Sequence, residues 1–156
     1  THRVFSRNAS SSRAIPIWKM VKQVWTNMAY PIHWGKKQKG MQADKEVNKV
    51  TQLLGKAVWW FTGILVSLFV LIMRVMGVHK QVANRMLEPW THIKVVLTTT
   101  KYSNWFNLRN HKDAQPEIRL LAQKMQKKLD NSKPEYLVWG SWHLPYVTKE
   151  DKEKYN

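Results

Sequence analysis

The chain has 156 residues and carries 26 Lys and Arg against 10 Asp and Glu, a formal charge of +16. It contains no cysteine, which excludes disulfide frameworks, thiolate metal sites and c-type haem attachment. Both halves are basic, with 11 bases against 2 acids over residues 1–56 and 15 against 8 over 57–156. This balance suits anionic lipid, an acidic protein surface or nucleic acid, and charge alone does not choose among them.

Residues 1–15 read as a flexible basic N-terminus. The stretch from Thr1 to Arg13 is rich in Arg and Ser and free of acids, the traits of a mitochondrial transit segment, although an ordinary basic tail has the same composition. Pro16 then opens an amphipathic helix over 16–29. Ile17, Met20, Val21, Val24, Trp25 and Met28 recur at helical spacing as one stripe, with Lys19, Lys22, Gln23 and Thr26 on the other side. The remaining chain offers this stripe little to pack on. A partner subunit is therefore the first expected contact and the lipid interface the second. Pro31 and the Gly35 to Gly40 segment make 30–43 a basic turn that lacks the spacing of a phosphate-binding loop.

From Asp44, a candidate N-cap, the spacing of Val47, Val50, Leu53 and Leu54 predicts a helix over 44–88 that contains a transmembrane span at about 57–78. Residues 57–73 include no ionisable group and cover roughly 25 Å at 1.5 Å per residue; extension to Val78 exceeds the ~30 Å hydrocarbon core. A buried core helix is the rival reading, but it would need more apolar material than this chain supplies. Trp59 and Trp60 are expected to mark one membrane interface, and Arg74, His79 and Lys80 the other. Arg74 is expected to snorkel to the surface or to pair with a neighbouring subunit. Lys37, Lys39, Lys45, Lys49 and Lys56 before the span outnumber Lys80, Arg85 and Lys94 after it. That bias places the N-terminus in the matrix and the C-terminus in the intermembrane space.

Pro89 ends the long helix, and 89–112 is read as irregular, with Val95 to Thr100 either extended or helical. An amphipathic helix follows over 113–130, whose stripe is Ile118, Leu121, Ala122, Met125 and Leu129. The final segment, 131–156, is an aromatic and then charged tail, with Trp139 and Trp142 as a further docking strip. The expected fold is thus an all-α membrane protein: one transmembrane helix, amphipathic arms on both sides and no independent globular core.

No catalytic constellation is present. The six histidines never pair at helical metal-ligand spacing, eight of the ten carboxylates follow the span with three of them in the charged 149–154 run, and Gly140-Ser141-Trp142 lacks a nucleophile elbow. No cofactor or metal is called for. Nine tryptophans spread along segments without a common core suit contacts with other proteins or lipid head groups. In build, the Arg/Ser-rich start, the span from Trp59-Trp60 to Val78 and the arms at 16–29 and 116–129 resemble the accessory subunits of mitochondrial inner-membrane respiratory complexes. The resemblance implies a non-catalytic structural and assembly role, with complex I (NADH:ubiquinone oxidoreductase) the favoured host. It also implies other subunits and lipids, cardiolipin among them, as partners. Cytochrome c oxidase and ATP synthase are alternative hosts. A basic membrane tether for RNA or the mitochondrial ribosome is the alternative of another class, weakened by the absence of a recognisable RNA module.

Overall fold

A computed structural model describes residues 5–39, 43–134, 136–141 and 147–155. The chain is mostly helical, with one helix long and apolar enough to cross a membrane and a small two-stranded sheet.

Helix α1, Ile17–Thr26, starts behind Pro16, and α2, Lys49–Val75, starts four residues later than the Asp44 cap would give. Asn48 is the actual cap, its side-chain oxygen accepting from the Thr51 N–H at 2.7 Å. The expected continuation of this helix to residue 88 does not occur. Gly77 takes φ +80, and the amides of Gly77 and Val78 turn back to Arg74 and Met73 O at 3.0 and 2.9 Å. That left-handed residue and its paired bonds close the helix as a glycine C-cap does. Beyond it, α3, Lys80–Ala83, and a 3-10 helix, Asn84–Trp90, run back along α2.

The small core lies where these segments meet. Ile17, Met20, Val21 and Val24 of α1 pack with Val70 of α2, Ala83 of α3 and Leu87 of the 3-10 helix. Ile17, Met20, Val21 and Val24 of the α1 stripe expected to seek a partner or lipid are therefore buried on their own chain, because the chain reversal at Gly77 supplies the missing surface, while Trp25 stays exposed. Asn84, fully buried, fastens the N-terminal arm to this core by donating from Nδ2 to Ser12 O and Ile15 O at 2.7 and 2.8 Å.

The chain is not all-α. Strand β1, Phe5–Ala9, pairs antiparallel with β2, Val95–Thr99, in the register Phe5↔Thr99 to Ala9↔Val95. The β-branched run Val95 to Thr99 is thus extended, as one of its two readings allowed, and a residue range expected to be flexible supplies its partner. The pairing has a topological consequence. Strands from before and after α2 share backbone hydrogen bonds, so the two arms meet within the chain.

Further along, α4, Ser103–Arg109, packs on α5, Pro116–Asp130, giving helical order inside the segment read as irregular. Pro116 at the first helical position and Glu117 in the first turn start α5 as the sequence indicates. The charged tail ends in α6, Lys149–Tyr155, whose first turn is fixed by a reciprocal cap. Asp151 Oδ2 accepts from Thr148 N–H and Oγ1, while the Asp151 N–H donates to Thr148 Oγ1.

Candidate membrane interface

Two faces of α2 differ in kind. Along the first, small residues admit the chain's own segments: the Trp34 ring lies over Gly55, and Met28 and Trp90 close over Gly63. A Cβ on Gly63 would stand 2.7 Å from Met28 Cε and from Trp90 Cδ1. Ser67, one turn on and fully buried, accepts from Trp25 Nε1 at 2.7 Å and donates to Ile64 O. Residues 55, 63 and 67 fall on one stripe of a 3.6-residue helix, so Gly55, Gly63 and Ser67 form a seam for close packing. Contacts of Trp18 with Arg74, Trp25 with Ser67 and Met28 with Gly63 show that α1 runs antiparallel along this seam.

The opposite face is uncovered. Val50, Leu54, Val58, Phe61, Leu65, Leu68, Ile72 and Val75 are all exposed, from 38 % at Leu65 to 89 % at Val75. They recur at intervals of three and four and extend roughly 38 Å along the axis. Only 17 % of the most apolar window of α2 is buried within the chain, which sets it apart from the core helix of a water-soluble domain. An apolar stripe of this length is far larger than the scattered exposed residues of an ordinary surface.

The residues expected at membrane interfaces sit as follows. Trp60 is half exposed. Trp59 instead turns inward: its Nε1 donates to Ala29 O at 2.9 Å, its ring meets Trp90 at 5.5 Å, and Trp90 Nε1 donates to Trp59 O. Arg74 lies 5.9 Å over the Trp18 ring, a cation–π contact within the chain. His79 caps α3 by accepting from the Gln81 N–H, and Lys80 Nζ donates to Ala14 O at 3.1 Å. Trp25 and Met28, the end of the α1 stripe, serve the seam. In α5, Ala122 is buried and Ile118 and Met125 are partly covered, while Leu121 and Leu129 stay exposed. Trp139 is fully exposed, and Trp142 lies outside the described residues.

Sequence reasoning passed over Gly55, Gly63, Ser67, Gly77 and Asn84. The small-residue spacing on one face and a glycine at the end of an apolar run were the available signals. Two histidines meet carboxylates: His33 Nδ1 stands 3.1 Å from Glu46 Oε1, and His111 Nδ1 3.4 Å from Asp113 Oδ2. The first closes the hairpin in which Gly35 bridges Glu46, and the second is largely solvated. The cleft between that hairpin and the start of α5 mixes Asp44, Asp113 and Glu117 with Lys112 and Arg119, so it presents no field of one sign. Among the described residues no group of three His, Asp or Glu is placed to hold a metal ion. No protein-family model, characterised protein or solved structure matches the chain.

Proposed function

We propose that the chain is a non-catalytic structural subunit of a membrane complex, anchored by α2, with a respiratory complex of the mitochondrial inner membrane as host and complex I the first to test. The observation that carries this reading is the pairing of one bare apolar face with one covered face on the same helix. The bare stripe has the length to cross a hydrocarbon core once. Its covered face carries charge on the segments packed there: Lys19 and Lys22 on α1, Arg85 and Glu88 on the 3-10 helix. Those groups would cost several kcal/mol in acyl chains if unpaired, so the covered face must meet protein or water. A helix divided in this way fits the edge of an assembly better than a lone span in lipid.

Alkaline carbonate extraction and a blue-native gel, with identification of co-migrating proteins, test the reading. Retention in the carbonate pellet and co-migration with respiratory subunits support it. Release at high pH, or migration as a free monomer, refutes it.

A further inference from the structure

We propose that the C-terminal end of α2 binds the head group of an anionic phospholipid whose acyl chains lie on the bare stripe; this rests on the reading that α2 seats in lipid. The fold gathers cations at this end from segments far apart in sequence. Arg74 stands over Trp18, beside Lys19 in the first turn of α1. Lys80 reaches Ala14 O, next to Arg13. Asn84, next to Arg85, holds Ser12 O and Ile15 O.

Arg13, Lys19, Arg74, Lys80 and Arg85 thus belong to the segments that meet at the C-terminal end of α2, and none is ion-paired among the described residues. The one carboxylate in their midst, Glu88, accepts from Ser12 Oγ at 2.6 Å. The N-terminus of α1 adds to the positive field, since its first turn holds no acid and no side chain caps it. Cations on neighbouring segments sum to a positive field that attracts an anion, and a phosphodiester offers oxygens to several at once. Immediately alongside, Ile72, Val75 and Met76 are exposed and apolar. A ligand matching both surfaces has a negative head and a hydrocarbon tail, which selects an anionic phospholipid over free phosphate.

The test is flotation of the full chain, diluted from detergent, with vesicles of phosphatidylcholine alone or with added phosphatidylglycerol. The expected result is preference for the anionic vesicles by about fivefold per engaged cation, weakening as salt rises. Joint replacement Arg13→Gln, Lys19→Gln, Lys80→Gln and Arg85→Gln should abolish the preference while binding to phosphatidylcholine persists. Lys36→Gln, Lys37→Gln, Lys45→Gln and Lys49→Gln at the other end should leave most of it. Equal loss from both sets, equal binding to both vesicles, or displacement by inorganic phosphate would overturn the proposal. Failure to float with any vesicle would instead sink the underlying membrane reading.

Discussion

Gly63 is where the covering of α2 by its own chain is most sensitive to added volume. An alanine Cβ there meets Met28 Cε and Trp90 Cδ1 at 2.7 Å and Trp90 Nε1 at 3.0 Å. Met28 ends in a flexible thioether and can swing away. The indole cannot, because Nε1 is held by Trp59 O at 3.0 Å and the ring rests against Trp59. Overpacking a filled contact costs about 1–3 kcal/mol and loss of the indole hydrogen bond about 1 kcal/mol, while removing a mid-helix glycine returns about 1 kcal/mol. Gly63→Ala should therefore destabilise by about 1–3 kcal/mol, and Gly63→Leu by more, with residues 79–90 lifted from α2. Reversible unfolding in mixed micelles, followed by tryptophan fluorescence, measures this. Val58→Ala on the bare face is the control, expected within ~0.5 kcal/mol of the parent. If Gly63→Leu unfolds at the parent midpoint with unchanged fluorescence, Trp90 does not pack on this seam and the covered face does not exist.

Other predictions follow the same logic. Asn84→Leu removes the donor of two bonds that reach Ser12 O and Ile15 O, and should cost about 2–4 kcal/mol, with faster amide hydrogen exchange in β1 and β2. A double-mutant cycle of Trp25→Phe and Ser67→Ala should return a coupling of about 1 kcal/mol from their 2.7 Å hydrogen bond, whereas a value near zero would mean α1 does not lie on α2. The Thr148 hydroxyl, and then its N–H, lower the Asp151 carboxyl below the usual carboxylate value. Because the folded value is depressed, the cap helps α6 in full above the unfolded carboxylate range and fades as pH falls through the lowered value. Nuclear magnetic resonance of 147–155 should show α6 fraying there, and Thr148→Ala should fray it at neutral pH.

Local features were legible in the sequence, and long-range ones were not. The α1 stripe and the Pro116 start of α5 are written in periods and caps that span a few residues, so their helices emerge near the expected bounds. The end of α2 is not marked by hydropathy, because apolar character continues past Gly77 and the φ +80 conformation there stops the helix. Periodicity shows that α1 has an apolar face but not what covers it. The answer depends on Ala83 and Leu87, more than 50 residues later and beyond a reversal. Likewise β1 finds its partner about 90 residues away, and a polar strand such as Ser6-Arg7-Asn8 carries no alternation to announce it. The place of Trp59 at the head of an apolar run suggests a lipid interface, yet its N–H is satisfied by Ala29 O inside the fold.

The absence of native cysteine makes a single-cysteine scan of α2 the most direct test of the central claim. Spin labels at residues 58, 61, 65, 68 and 72, and at the partly covered 59, 62, 66 and 73, would be read in the membrane-bound chain by collision with oxygen and with a water-soluble nickel complex. The first set should collide freely with oxygen and the second little with either reagent, giving a 3.6-residue oscillation. Uniform oxygen access around the helix would mean a span surrounded by lipid with its arms released, and uniform nickel access would mean that α2 does not enter a membrane.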